Sequence, residues 1–134
     1  WGHDMSPEEN QYQAGLSFAV SYKKNVNFIG KESLIKLREK KPSKKLLMLT
    51  LEKSKPGDPL LLHDEPIYFD NQIVGRTTSG NFSFCYNKNI AFGYVETKKL
   101  EELGEKTIYI EVEKVKYIAT IILKPLNTNK IRNM

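Results

Sequence analysis

Hydrophobic and polar side chains alternate with a period of two along most of residues 43–134. Such alternation predicts short β-strands that turn one face toward a core. The predicted strands cover residues 45–51, 66–69, 72–77, 81–86, 90–95, 107–112 and 115–123. Asp70-Asn71 and Glu113-Lys114 separate neighbouring strands by two residues, which is typical of tight hairpins. This spacing predicts a small antiparallel barrel or sandwich.

The first 42 residues follow a different pattern. Residues 1–15 have no helical or strand period and predict a loop, whereas residues 16–20 alternate weakly and predict a strand. An apolar stripe among charged residues predicts a short amphipathic helix over residues 30–40, ended by Pro42. The stripe consists of Leu34, Ile35 and Leu37. We therefore expect a mainly β chain, in which a strand and one helix precede the β module.

Composition and charge narrow the function classes. The chain has 134 residues, a net charge of +5 and one cysteine, so it has the size of one domain and forms no internal disulfide. No apolar run reaches the roughly 20 residues of a membrane helix. The basic residues are mostly lysines interleaved with glutamates, and no nucleic-acid motif accompanies them. We expect neither a membrane nor a nucleic acid as a partner.

Candidate catalytic and metal-binding residues are few. His3 and His63 lie sixty residues apart, with no cysteine or acidic cluster at ligand spacing, so we interpret both as surface or loop residues. Asp4, Glu8 and Glu9 supply carboxylates, which we interpret as solvated charges of an exposed loop. These residues by themselves assign no catalysis and no metal site.

Residues 76–95, RTTSGNFSFCYNKNIAFGYV, concentrate hydroxyls, amides and aromatic rings. Hydroxyl residues precede a glycine at a predicted bend, in the order Thr77, Thr78, Ser79 and Gly80. Phe82, Phe84 and Tyr86 alternate, so their three rings are expected on one strand face. One interpretation makes these rings a core face. The other makes them, beside the hydrogen-bond donors, a site for a flat, conjugated, polar ligand.

The same run resembles the C-terminal barrel motif of the aminomethyltransferase family, the glycine-cleavage T-protein and its relatives. The family pattern is V-T-S-G-x-x-S-x-x-x-x-K-x-I-A-x-G-Y-V. The chain matches it at Thr78, Ser79, Gly80, Ser83, Lys88, Ile90, Ala91, Gly93, Tyr94 and Val95. The opening WGHDMSPEENQYQAGLSFAV is similar to a second family segment, although Gln11 replaces a common proline and Gln13 a common glutamate. The resemblance is closer to the dimethylglycine and sarcosine dehydrogenase branch than to the stand-alone T-protein.

The resemblance implies an organisation and a function. Residues 1–42 would be the end of a folate-binding domain, and residues 43–134 the C-terminal β-barrel domain. The chain would be a C-terminal fragment of an enzyme in which tetrahydrofolate accepts a one-carbon unit from an oxidised N-methyl glycine. A stand-alone T-protein and a non-catalytic scaffold barrel are the alternatives.

The resemblance also implies cofactors, partners and a compartment. Tetrahydrofolate would be the ligand of this part of the protein. FAD would bind in a domain outside this chain, which contains no G-x-G-x-x-G motif. The implied partners are the N-terminal catalytic and flavin domains of the same protein, and the implied compartment is a bacterial cytoplasm or the mitochondrial matrix.

Site residues carry over from the family position by position. The family's catalytic aspartate belongs to a segment that this chain does not contain, so we assign no catalytic residue and expect an inactive fragment. Lys24, beside Lys23, occupies the place of a basic residue near the bound folate, although an exposed strand-end lysine is the alternative. Trp1 and Tyr12 are the other expected folate contacts. A supporting structural role is expected for Thr78, Ser79, Gly80, Gly93 and Tyr94.

Overall fold

Six antiparallel strands form a closed barrel in the computed structural model, which describes residues 1–52, 55, 57–104 and 106–123. The strands are β1 (Lys44–Leu51), β2 (Pro66–Phe69), β3 (Gln72–Ser83), β4 (Lys88–Glu96), β5 (Ile108–Val112) and β6 (Val115–Ile122). Around the barrel they follow the order β1-β4-β3-β2-β5-β6, and β6 pairs with β1 to close it. The predicted antiparallel barrel is confirmed. Residues 124–134 of the predicted barrel domain lie outside the described residues.

The barrel interior is filled by the apolar side chains that alternate along the strands. The least exposed members of this core include Leu49, Ile67, Val95, Ile110 and Val112. Full burial of such a side chain stabilises the folded state by roughly 1.5–3 kcal/mol relative to its exposure. The period-two pattern therefore supplies the core directly.

Two hairpin turns form where the sequence predicts them. Phe69 pairs with Gln72 across the first turn, and Val112 pairs with Val115 across the second. Asp70 has φ 53°, and Glu113 and Lys114 have φ 48° and 67°. This left-handed backbone suits the twist of two-residue hairpins.

Two helices flank the barrel, α1 (Lys31–Arg38) and α2 (Thr97–Glu101). The amphipathic helix predicted over residues 30–40 is confirmed as α1. Leu34 and Leu37 are half-buried, whereas Ile35 is exposed. Neither helix among the described residues has the length and apolarity needed to cross a membrane.

The strand predicted over residues 16–20 is wrong. Ser17–Ala19 form a single 3₁₀ turn, in which the amides of Ala19 and Val20 bond the carbonyls of Leu16 and Ser17. A strand needs a partner for its backbone groups, and residues 16–19 lie exposed, away from the closed barrel. The weakly alternating residues 16–20 therefore form no strand in this structure.

The two strands predicted over residues 72–77 and 81–86 are one continuous strand, β3, which ends at Ser83. Phe84 and Tyr86 belong to the following turn, so the expectation of three rings on one strand face is wrong. Phe84 is 80% exposed and meets Phe82 edge-on, with ring centroids 5.2 Å apart. The three rings therefore do not share one strand face.

Candidate functional site

Residues 2–14, which we call the N-terminal strap, lie against the outer face of β1, β4 and β3. The hydroxyls of Thr78 and Ser79 both donate to Oδ1 of Asp4, the latter at 2.7 Å. The hydroxyl of Tyr94 donates to the backbone carbonyl of Asp4 at 2.9 Å. Asp4 is thus held by two barrel strands, and its interpretation as a freely solvated charge is wrong.

A β-bulge explains why two consecutive hydroxyls reach the same carboxylate. Successive side chains of a regular strand point to opposite faces. In β3 the pairing with β4 shifts between Thr77 and Ser79, which inserts one extra residue, Thr78. A bulge bends the strand and redirects side chains, and here Thr78 and Ser79 both turn toward the strap.

The glycines of the motif are required by close packing around this bulge. A Cβ on Gly80 would lie 2.4 Å from Cβ of Leu61. A Cβ on Gly93 would lie 2.7 Å from Cδ1 of Ile67 and 2.8 Å from the carbonyl oxygen of Arg76. All three distances are far below van der Waals contact. The motif residues therefore pack the strands closely and attach the strap to the barrel. Their supporting role in the function stays a prediction.

A second attachment joins Glu9 of the strap to Lys44 at the start of β1. Oε1 of Glu9 lies 2.6 Å from Nζ of Lys44, and its other oxygen accepts bonds from the amide and hydroxyl of Ser6. These hydrogen bonds lower the pKa of the Glu9 carboxyl from 4.5 to about 2. Burial, with the nearby charges of Glu9 and Asp4, raises the pKa of Tyr94 to about 12. The Glu9 side chain is nine-tenths buried, so it too is not a solvated charge.

A cavity of about 480 Å³ lies between the strap and the barrel. Its lining mixes both signs of charge, from Glu8, Glu9, Lys44, Asp64, Arg76 and Glu96. His3 and His63, which the sequence separates, lie nearby with ring centroids 5.8 Å apart. Within the described parts of the chain, no three acidic, histidine or cysteine side chains are arranged to hold a metal ion.

A second cavity lies at the far end of the strap. We call it the tyrosine pocket, of about 610 Å³, and its lining is Tyr12, Ser17, Phe18, Val20, Ser21, Tyr22, Lys23 and Arg38. The hydroxyl oxygens of Tyr12 and Tyr22 lie 2.5 Å apart, and Tyr12 also donates to the carbonyl of Leu34 at 3.0 Å. These bonds join the strap, the 3₁₀ region and α1 around one cavity.

The electrostatics of the tyrosine pocket favour an aromatic ligand with an anionic end. The Arg38 guanidinium lies 5.6 Å from the Tyr22 ring centroid, within cation–π range. Burial, followed by the bond to Tyr22, raises the pKa of the Tyr12 hydroxyl, so Tyr12 stays a neutral hydrogen-bonding group at physiological pH. The lining contributes two cations and no carboxylate.

Only some of the residues predicted to lie near folate line the tyrosine pocket. Tyr12 and Lys23 line the tyrosine pocket. Lys24 does not: its side chain is exposed, while its carbonyl accepts a bond from Nζ of Lys31 at 3.4 Å. Trp1 is 83% exposed and also lies outside the pocket lining. Folate contact by these residues stays a prediction.

Sequence reasoning missed Tyr22 and Arg38 as members of this pocket. Tyr22 adjoins the predicted basic residue, so its position beside Lys23 was the one available signal. Arg38 lies in the last turn of α1, where a basic residue is ordinary. Its approach to Tyr22 depends on how the chain returns between residues 22 and 38, which no local pattern specifies.

The comparison with protein families decides the affiliation of the barrel. The family model described as the glycine cleavage T-protein C-terminal barrel domain matches residues 44–127. The chain belongs to this family. Its matched region begins at β1 and covers the barrel, so the T-protein barrel is the module on which the strap lies.

Dehydrogenases and aminomethyltransferases are both among the proteins to which this chain is similar. The chain is 36% identical over 126 residues to human mitochondrial dimethylglycine dehydrogenase, covering 94% of this chain and 14% of that protein. It is 39% identical over 95 residues to the aminomethyltransferase of Symbiobacterium thermophilum, covering 71% of this chain and 24% of that protein. The chain thus spans between about one seventh and one quarter of these relatives.

A solved structure supports the T-protein fold beyond the barrel itself. The crystal structure of glycine cleavage system aminomethyltransferase T from Bartonella henselae matches with a TM-score of 0.74 and 22% identity. The match covers 92% of this chain and 34% of that one, so it extends beyond the barrel residues. At this identity the likeness establishes the fold alone.

Proposed function

We propose that this T-protein barrel and its strap form the C-terminal part of a folate-dependent one-carbon enzyme of the dimethylglycine and sarcosine dehydrogenase type. The observation that carries the proposal is the 36% identity to dimethylglycine dehydrogenase over 126 residues, which extends through the strap and the tyrosine pocket. A scaffold barrel would need only the barrel residues. The extent of the match beyond the barrel therefore favours a shared ligand site.

In this proposal the tyrosine pocket contributes to the tetrahydrofolate site. Tetrahydrofolate is a flat ring system with a carboxylate-bearing tail, and the pocket residues fit it. Phe18, Tyr12 and Tyr22 would contact the aromatic part, and Lys23 and Arg38 the carboxylates. Residues 22–41 contain seven lysines and arginines against two glutamates, an excess equal to the net charge of the whole chain. Each ion pair between an exposed cation of this segment and a folate carboxylate would contribute about 0–1 kcal/mol to the binding free energy.

The reaction itself would use residues outside this chain. Tetrahydrofolate, when bound, supplies the nitrogen that takes up a one-carbon unit released from an N-methyl glycine. The role of this chain is to bind and orient: the Tyr12 and Tyr22 hydroxyls bond to one another, Tyr12 also bonds to the Leu34 carbonyl of α1, and the cations would neutralise the tail. The proton transfer and the flavin oxidation belong to other domains in this proposal.

Those other domains are also the proposed partners of an exposed apolar surface. Several large apolar side chains around the tyrosine pocket and α1 are exposed, namely Phe18, Val26, Phe28, Ile29 and Ile35. We propose that these side chains form one apolar surface, of the kind that marks an interface in soluble proteins. In this proposal the catalytic domain of the same polypeptide covers the surface. The proposed compartment is a bacterial cytoplasm or the mitochondrial matrix.

The runner-up is a stand-alone aminomethyltransferase, which the 39% identity to the Symbiobacterium thermophilum protein favours. One experiment separates the two. The full polypeptide of the gene is purified, and its visible absorption is recorded with and without sarcosine or dimethylglycine, followed by titration with tetrahydrofolate. A flavin spectrum bleached by either amine, with folate binding, supports the proposal. A colourless folate-binding protein supports the runner-up, and absence of folate binding refutes both in favour of a scaffold.

A further inference from the structure

Gln13 is a buried amide that connects the barrel to the tyrosine pocket. Its Nε2 donates to the hydroxyl of Ser43 at 3.1 Å, and its Oε1 accepts from the amide of Asn10 at 3.0 Å. Its backbone carbonyl accepts a 2.8 Å bond from the amide of Leu46. The side chain is part of a residue only 8% exposed. The side-chain amide and the backbone carbonyl of Gln13 thus all have hydrogen-bond partners, either at the start of the barrel or within the strap.

The position of this contact on β1 has a structural reason. β1 pairs with β4 along its length, but it pairs with β6 only from Met48 to Leu51. The first half of β1 therefore has an open edge, whose backbone groups need partners. The carbonyl of Gln13 occupies that edge at Leu46. The barrel thus offers the strap a fixed point defined by its own ladder.

Tyr12 directly precedes Gln13, and the turn between them is tight. The side-chain oxygen of Asn10 accepts bonds from the amides of Tyr12 and Gln13, at 3.0 and 3.1 Å. The Tyr12 hydroxyl then reaches Tyr22 and the carbonyl of Leu34 in the tyrosine pocket. A short, internally bonded turn therefore has the barrel on one side and the pocket on the other.

We propose that Gln13 is a positioning residue, through which the barrel fixes the geometry of the tyrosine pocket by way of Tyr12. The consequence for ligand binding rests on the proposed folate function, whereas the consequence for pocket geometry does not. Gln13 is not among the residues that line the tyrosine pocket. Its effect passes through the Asn10–Gln13 turn to the Tyr12–Tyr22 hydrogen bond.

The polar pattern of the site predicts which substitutions preserve it. In Gln13→Glu, one carboxylate oxygen accepts from the Asn10 amide and the other accepts from the Ser43 hydroxyl, which rotates to donate. Gln13→Met keeps the volume but removes both side-chain bonds. The family pattern, with glutamate at this position, agrees with the first substitution as a functional replacement. Gln72→Met, at an exposed position at the start of β3, is the matched control.

The test uses the full polypeptide in three measurements: hydrogen exchange by mass spectrometry of the peptide spanning residues 11–22, the Kd for tetrahydrofolate, and the Tm. Gln13→Met is expected to accelerate exchange and weaken folate binding by about fivefold each, the factor given by a net loss of about 1 kcal/mol for the two side-chain bonds together. Gln13→Glu and Gln72→Met are expected to leave both unchanged. Ser43→Ala, which removes one partner from the barrel side, replaces Gln13→Met if that variant does not fold.

The outcomes separate this inference from the proposed function. Unchanged exchange in residues 11–22 overturns the inference, whatever happens to folate. Faster exchange with an unaltered folate Kd also overturns it, because Gln13 then has a purely structural role. If the unsubstituted protein binds no folate, the proposed function fails, and faster exchange rescued by Gln13→Glu still supports the positioning of the pocket.

Discussion

The Oδ1 oxygen of Asp4 accepts a 2.7 Å hydrogen bond from the hydroxyl of Ser79, across 75 residues of sequence. The same oxygen accepts from Thr78, whose hydroxyl would otherwise be buried without a partner on this side. The strap is therefore attached to the barrel by the residues that carry the T-protein barrel motif. This contact explains why a motif rich in hydroxyls need not contact a ligand.

Asp4→Ala is expected to destabilise the protein by about 1–3 kcal/mol, because two hydroxyls lose a charged acceptor. Thr78→Val combined with Asp4→Ala tests the coupling in a double-mutant cycle measured by urea unfolding. We expect the destabilisation of the double variant to be smaller than the sum of the two single destabilisations by about 0.5 kcal/mol. Strictly additive effects would show that the two side chains act independently.

The Glu9–Lys44 pair predicts an acid-sensitive stability. The folded-state pKa of Glu9 is lowered to about 2, so its contribution is present above its usual value of 4.5 and is lost as pH falls from 4.5 toward 2. Glu9→Gln is therefore expected to lower the free energy of unfolding by about 2 kcal/mol at pH 7 and by little at pH 2.

Thermal unfolding across this pH range checks the Glu9 prediction. Glu8→Gln on the same strap is the control, because the Glu8 side chain is exposed. A Glu9→Gln difference that stays constant from pH 7 to pH 2 would contradict the assigned pKa.

Gly93→Ala is expected to destabilise the barrel by about 1–3 kcal/mol, since its Cβ would press on Ile67 and on the backbone of β3. The control is Gln72→Ala, an exposed position on β3. Denaturant unfolding gives the comparison. If Gly93→Ala unfolds at the same midpoint as the control, the close approach of β4 and β3 at this position is not as described.

Arg38→Ala is expected to weaken tetrahydrofolate binding by about two- to fivefold, because it removes one cation and its stacking on Tyr22. Lys36→Ala removes a charge from the same helix without touching the tyrosine pocket and is expected to have no comparable effect. Both dissociation constants are measured at two salt concentrations. Equal losses in the two variants would indicate a general charge effect and no specific contact.

The period-two pattern predicted a small antiparallel β module, because alternating side chains fix which face of each strand meets the core, whereas the pairing of β6 with β1 decided that it is a barrel. Local sequence likewise predicted the two hairpin turns, at Asp70-Asn71 and Glu113-Lys114, and predicted α1 from its apolar stripe. The alternation of residues 16–20 is too weak to specify a strand, and their backbone groups bond within a 3₁₀ turn.

The tertiary structure alone decided the site. Asp4, Glu9 and Gln13 look like ordinary loop residues in the sequence, and their roles come from partners 30 to 75 residues away, at Ser79, Lys44 and Ser43. Tyr22 and Arg38 join Tyr12 only after the chain has turned back through α1. Local patterns report burial and backbone conformation, whereas a pocket is a set of distances between distant segments, and only packing sets those distances.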